Sequence, residues 1–141
     1  MHTDEIKQMI AKNSSEIARL HSAVHETWRH REESPGARKA WTDAAQAFSN
    51  RYESLAFPGG YEGALDRILA GDPLAVEAGI CFLELRPYFR RSGYMFKDIL
   101  RKLRKAPLSA QQQARFKQIE TSVTKWRENK TAQVARNCDA D

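Results

Sequence analysis

The sequence predicts an all-α fold: one domain of residues 1–141, a bundle of five or six helices around a central apolar helix. Apolar residues recur at intervals of three, four and seven, which is the spacing of one helix face. Capping residues followed by proline recur at the expected helix starts. No stretch shows the alternation of apolar and polar residues that is typical of a half-buried strand.

The first third of the chain predicts two long helices. Apolar residues from Ile6 to Trp28 form one stripe, and an interruption at Asn13 leaves room for a kink or a break. Ser34 and Pro35 are placed to cap and begin the second helix, which we expect to end near residue 57, before a Pro-Gly-Gly stop.

The middle of the chain predicts a short helix and then the central one. The short helix starts near Tyr61 and ends at Gly71, which is placed for a left-handed cap. Asp72 and Pro73 begin the fourth helix, and residues 74–85 are nearly all apolar, so we place this helix at the centre. A buried parallel strand would also be apolar, but the length, the Asp-Pro start and the alanines favour a helix.

The last two predicted helices are polar on one side. Residues 94–105 carry apolar residues on one face and basic residues on the other, and Pro107 ends this helix. Ser109 and Gln112 have the spacing of a capping box and open a last long helix. We expect residues 136–141 to form a frayed tail.

Composition favours a cytoplasmic protein with an acidic partner. Residues 1–83 carry 9 Lys/Arg and 12 Asp/Glu, whereas residues 84–141 carry 14 and 6, so the net charge of +5 comes from the second part. Such asymmetry favours a protein or nucleic-acid partner, and it is equally compatible with a solvated face. Two cysteines, the lack of a secretory pattern and the lack of a membrane-spanning apolar run favour the cytoplasm and no membrane.

Residues 82–94 form the most unusual segment of the sequence. Three arginines and three aromatic residues lie within nine positions, between the apolar helix and the basic helix. We expect Glu84 to form a buried pair with a neighbouring arginine and so to fix a structural corner. Gly93 is expected to hold a backbone geometry that β-branched residues resist. The predicted corner residues are Glu84, Arg86, Pro87, Ser92 and Gly93.

The basic segment that follows predicts a binding surface. Residues 86–105 contain eight cations with tyrosines between them, a mixture that is typical of protein interfaces and also of surfaces that bind nucleic acid. An ordinary amphipathic surface helix would look the same. The predicted partner-binding residues are Arg90, Arg91, Tyr94, Lys97, Arg101, Arg104 and Lys105.

The sequence provides little support for catalysis or for a cofactor. His21 and His25 are four residues apart, but a zinc site needs three or four converging ligands, so we expect no metal and no cofactor. Cys81 lies on the most apolar helix and Cys138 in the polar tail, so neither is a good nucleophile. The glycines after Pro58 lack the lysine of a phosphate-binding loop. We therefore expect no enzymatic activity.

Residues 75–108 resemble a group of small bacterial helical proteins without a firmly assigned activity. The resemblance rests on a Phe-Leu-Glu, proline, aromatic, Arg-Ser-Gly-Tyr signature followed by a basic helix. Arg90 stands where a second aromatic residue is usual, which implies a wetter corner. The matching residues are Phe82, Leu83, Glu84, Pro87, Phe89, Arg91, Ser92, Gly93, Tyr94, Leu100, Arg101, Leu103 and Lys105.

The function that this resemblance implies is that of an immunity protein. Small, helical, cytoplasmic proteins of this sort often look like immunity proteins that neutralise a contact-delivered toxin. We therefore expect a non-catalytic protein-binding module, an immunity protein that occludes the active site of an acidic toxin domain. The alternative is a nucleic-acid-binding or regulatory protein that uses the basic face of residues 86–105.

Overall fold

Helices joined by short connections make up the described part of the chain. The computed structural model describes the backbone of residues 2–139 and the side chains of residues 2–137. Over this range there are six helices and no strand, which confirms the predicted all-α fold. The helices are α1 Thr3–Arg29, α2 Pro35–Ala56, α3 Ala64–Ala70, α4 Pro73–Leu85, α5 Ser92–Leu103 and α6 Ala110–Asp139.

The structure divides into two compact units. Residues 1–107 form the first unit, with α1 to α5, and residues 108–141 form the second, with α6. The single domain predicted from the sequence stays a prediction. The tail predicted to fray is helical as far as Asp139, and residues 140 and 141 lie outside the described part of the chain.

The predicted helix starts and stops are confirmed at most boundaries. Ser34 Oγ accepts a hydrogen bond from the Ala37 N–H at 3.0 Å, and Asp72 Oδ1 accepts one from the Leu74 N–H at 3.0 Å. Gly71 ends α3 with φ +82°. α1 continues without a break through Asn13. The main difference concerns α3, which begins at Ala64 rather than near Tyr61.

α4 is the centre of the first unit, as predicted. It contacts α1, α3 and α5, and eight of its thirteen residues are buried. Gly79 permits the close approach of its neighbours, because a Cβ atom there would lie 3.3 Å from side-chain atoms of Ile68 and Leu103. Burial of this helix fixes the position of its C-terminus, where the basic segment begins.

The large apolar residues of α6 are buried in the first half of the helix and exposed farther along. Phe116, Ile119 and Val123 are buried, whereas Trp126 and Val134 farther along are exposed. Ser109 and Gln112 form the predicted capping box: the Gln112 N–H donates to Ser109 Oγ at 3.1 Å, and the Ser109 N–H donates to Gln112 Oε1 at 3.0 Å.

Candidate binding surface at the corner between α4 and α5

The corner, residues 86–92, turns the chain from α4 into α5 through two left-handed residues. Arg86 follows the last residue of α4 with φ +49°, and its N–H donates to the Phe82 carbonyl oxygen at 2.8 Å. Arg91 precedes α5 with φ +68°. Both are unusual positions for arginine, because a residue with a Cβ atom loses roughly 1–2 kcal/mol in this conformation. The rest of the fold must therefore hold the corner in place.

Phe89 anchors the corner to the core. Its side chain is 8% exposed, and its ring centroid lies 6.1 Å from that of Tyr52 and 6.2 Å from that of Phe82. Ser92, also buried, closes the turn: its Oγ accepts from the Phe89 N–H at 3.1 Å, and its own N–H donates to the Phe89 carbonyl at 2.9 Å. The Ser92 hydroxyl thus bonds back to the turn, while Arg91 occupies the cap position of α5.

A second anchor comes from α2. The Tyr52 hydroxyl donates to the Arg90 carbonyl oxygen at 2.6 Å. Burial raises the pKa of Tyr52, so this phenol stays protonated and keeps its donor well above neutral pH. The backbone of Arg90 is therefore held by α2, while the residue itself remains exposed.

The pair predicted between Glu84 and a neighbouring arginine is not buried at the Glu84 side. The Glu84 side chain is 23% exposed, and its carboxylate lies 3.4 Å from the ammonium of Lys7 on α1. Arg86 is exposed as well, and its guanidinium lies over the ring of Phe96, 4.7 Å from the ring centroid. The end of α4 is thus tied to α1 by a partly solvated ion pair, and Arg86 is placed by a cation–π contact.

The conformational role predicted for Gly93 is wrong. Gly93 lies in the first turn of α5, and its φ is not positive. A Cβ atom added at this position would meet nothing within 4 Å beyond its chain neighbours and its own helix backbone. The Ser-Gly pair is a common turn signal, but the residues that carry the unusual backbone here are Arg86 and Arg91.

All seven predicted partner-binding residues are exposed. On α5 they lie opposite the buried face formed by Met95, Phe96, Ile99, Leu100 and Leu103. The guanidinium of Arg101 lies 3.4 Å from the carboxylate of Asp98 and pairs with it. The side chains of the following four make no ion pair with any residue in the described range: Arg90, Arg91, Lys97 and Lys105.

Two tyrosines stand out from this surface. Tyr88 is 93% exposed and Tyr94 is 73% exposed. Tyr94 is among the predicted contacts, whereas Tyr88 is not. The neighbouring Phe89 is buried. Of the two adjacent rings, that of Phe89 therefore packs in the core and that of Tyr88 is presented to solvent. We define the cationic surface by its exposed residues, Tyr88, Arg90, Arg91, Tyr94, Lys97, Arg101, Arg104 and Lys105.

A pair of histidines on α1 lies near the corner. The Nε2 atoms of His21 and His25 are 3.1 Å apart. The centroid of the His21 ring lies 5.3 Å from that of Phe48, and the centroid of Phe48 lies 5.4 Å from that of Tyr52. The pKa of His21 is lowered, chiefly by burial and to a smaller extent by the neighbouring His25 and the charge of Arg90. No local sequence pattern indicates that α1 comes close to the charge of Arg90.

The sequence raised two chemical possibilities, a metal site and a cysteine nucleophile, and the structure places the residues concerned. No group of three or more histidine, cysteine or acidic side chains among residues 2–137 is placed to hold a metal ion. The Cys81 side chain is fully buried, so it lacks the access that a nucleophile needs. The side chain of Cys138 lies outside the described residues.

Comparison with known proteins adds no family to this description. No protein-family model, curated protein or solved structure matches the chain. The resemblance over residues 75–108 therefore stays a prediction. Among the described residues, none of the helices combines the length and the apolar character that crossing a membrane requires.

Proposed function

We propose that the protein is a non-catalytic binding module and that the cationic surface contacts an acidic protein partner. One observation carries this proposal. The corner is anchored from within by Phe89, Ser92 and the hydroxyl of Tyr52, while Tyr88 and Arg90 on either side of Phe89 are exposed to solvent.

Such an arrangement favours binding because the backbone is fixed before the partner arrives. Ordering a mobile loop on association opposes affinity, and a pre-ordered loop avoids much of that cost. Arginine pairs with carboxylates through two parallel hydrogen bonds, and tyrosine supplies a large contact area with few rotatable bonds. Cations that form no ion pair within the described fold are also the ones that a partner's carboxylates can neutralise.

The more specific form of the proposal is a bacterial immunity protein that acts in the cytoplasm. In this form the cationic surface covers the acidic active-site cleft of a cognate toxin domain and excludes its substrate. Complementary charge would raise the rate of association. The exposed rings of Tyr88 and Tyr94 would enter the cleft as anchors.

Site-specific crosslinking would test this proposal directly. A photoreactive phenylalanine analogue at Tyr88 should capture the partner in cells of the source organism, and the same analogue at the exposed Lys39 of α2 serves as the matched control. We expect a protein captured only from position 88, with an acidic surface at the crosslinked peptide. The purified partner should then bind the wild-type chain in solution.

Charge reversal distinguishes binding at the cationic surface from a general effect of the protein's net charge. Arg90→Glu with Lys97→Glu should weaken binding of the purified partner by roughly a hundredfold, because it reverses close charge contacts. Lys12→Glu with Lys39→Glu makes the same change in net charge on α1 and α2 and should change affinity far less. Equal loss from the two double variants would contradict a localised surface.

Nucleic acid is the other outcome of this test. If the cationic surface binds phosphate instead, single-stranded or duplex probes should bind at low salt, and the affinity should fall log-linearly, by roughly tenfold or more between 50 and 200 mM salt. The exposed rings of Tyr88 and Tyr94 would then stack on bases. Tight RNA binding together with no captured protein would overturn the proposal.

A further inference from the structure

We propose that the imidazole rings of His21 and His25 together bind one divalent transition-metal ion, with Cu²⁺ as the preferred ion. This inference is independent of the proposed partner. The two residues are one helical turn apart on α1, and their Nε2 atoms face each other at 3.1 Å. Imidazole nitrogen suits copper, nickel and zinc, and copper binds most tightly in this series.

The separation of the two nitrogens fits a shared metal ion. Bonds of roughly 2.0–2.1 Å from one ion to two neighbouring imidazole nitrogens place those nitrogens about 2.8–3.4 Å apart, for angles between right-angled and tetrahedral. The observed 3.1 Å lies within this range. A square-planar or tetragonal ion would take both nitrogens on adjacent positions and leave its remaining positions for water.

The surroundings of the pair limit the movement of one ring and leave the other open. His21 is partly buried and its ring packs against Phe48 of α2, with centroids 5.3 Å apart. His25 is exposed and its ring meets that of His21 at a centroid distance of 4.5 Å. The first ligand is therefore held by the fold, and the second gives an ion access from solvent.

Without metal, the same geometry is an N–H···N hydrogen bond between the two rings. One Nε2 donates and the other accepts. On metal binding, both Nε2 lone pairs point at the ion, and each ring carries its proton on Nδ1. Metal binding therefore replaces one hydrogen bond by two metal–nitrogen bonds.

The test uses the full chain in a His2→Ala background, so that His21, His25 and His30 are the remaining histidines. CuCl₂ is titrated near neutral pH in a buffer that does not bind metal, and binding is followed by calorimetry and by thermal unfolding. We expect one Cu²⁺ per chain and a higher Tm with Cu²⁺, because binding to the folded state alone stabilises it. Zn²⁺ and Ni²⁺ should bind at the same site more weakly.

Two single variants and one control decide the outcome. His21→Ala and His25→Ala should each weaken Cu²⁺ binding on the order of tenfold to a hundredfold, because the second ligand acts as an intramolecular one. His30→Ala removes a histidine that hydrogen bonds to Glu33 instead and should leave affinity unchanged. Circular dichroism of the metal-free variants checks the fold. Equal affinity after loss of His21 or His25, or no stoichiometric site in the parent chain, would overturn the proposal.

Discussion

Two of the connections in the first unit place left-handed backbone in different kinds of residue. Between α2 and α3, residues 57–63, the left-handed positions are Gly59, Gly60 and Gly63, with φ of +83°, +86° and +74°. Between α4 and α5 they are Arg86 and Arg91. Glycine adopts this conformation without steric penalty, whereas each arginine loses roughly 1–2 kcal/mol.

Both connections are anchored by adjacent residues at the end of α2. The Glu53 carboxylate accepts a hydrogen bond from the Glu62 N–H, and the Glu53 carbonyl accepts one from the Tyr61 N–H at 3.1 Å. Tyr52 holds the Arg90 carbonyl in the other connection. The two connections therefore have similar support but different residues at their strained positions.

This difference bears on the binding role proposed for the corner. The glycine connection joins two helices at the lowest conformational cost and presents no long side chain at its left-handed positions. The corner keeps long cationic side chains where glycine would fit more easily, and strained residues of this kind concentrate at functional sites. The comparison therefore supports a binding role for the corner and a connecting role for residues 57–63.

The largest effect on stability should come from removing the anchor of the corner. Phe89→Ala should lower the free energy of unfolding by about 3–5 kcal/mol, as expected for a buried phenylalanine. The neighbouring Tyr88→Ala should change it by about 0.5 kcal/mol or less, because that ring is almost fully exposed. Chemical denaturation measures both. Similar losses from the two variants would show that Phe89 is not the anchor.

A matched pair of glycines isolates the backbone contribution. Neither Gly60 nor Gly93 would bring a new Cβ atom within 4 Å of a neighbour, but only Gly60 has a positive φ. Gly60→Ala should therefore cost about 1–2 kcal/mol. Gly93→Ala should stabilise the fold by up to about 1 kcal/mol, because alanine is the better helix former. Thermal and chemical unfolding would check the opposite signs.

A smaller effect concerns Glu16, which ties α1 to the helix that anchors both connections. Arg19 and Arg51 hold the pKa of Glu16 down at about 2, and the Glu16–Arg51 ion pair, at 2.7 Å, joins α1 to α2. A lowered pKa means that the carboxylate stabilises the fold above its unfolded pKa of 4.5 and loses this effect as pH falls towards 2.

The stability difference between wild type and Glu16→Gln should therefore be largest near neutral pH and should shrink from about pH 4.5 downwards. Glu26→Gln is the control, since Glu26 pairs with Arg29 and His30 near the end of its own helix and not with α2. A difference for Glu16→Gln that does not change between neutral pH and pH 3 would contradict this role.

Much of the fold follows from local sequence signals. The caps at Ser34, Asp72 and Ser109 were predictable because each depends on residues within three positions. The apolar character of residues 74–85 was enough to place α4 at the centre. The exposure of the basic face of α5 follows from its period of 3.6 residues.

The long-range contacts that hold the candidate site in place were not predictable in the same way. Tyr52 is 38 residues from Arg90 in sequence, and Lys7 is far from its partner Glu84. No local pattern signals such long-range contacts. The left-handed arginines also escaped prediction, because arginine carries no preference for that conformation, whereas the adjacent Ser-Gly pair is a misleading turn signal.

The role of the left-handed arginines is best tested by the unfolding free energies and partner affinities of Arg91→Gly and Arg91→Ala. Both remove the guanidinium, and only glycine removes the strain at φ +68°. We expect Arg91→Gly to be more stable than Arg91→Ala by about 1 kcal/mol, and both to bind the partner on the order of tenfold more weakly than wild type. A glycine variant less stable than the alanine variant, or wild-type affinity in both, would contradict this expectation.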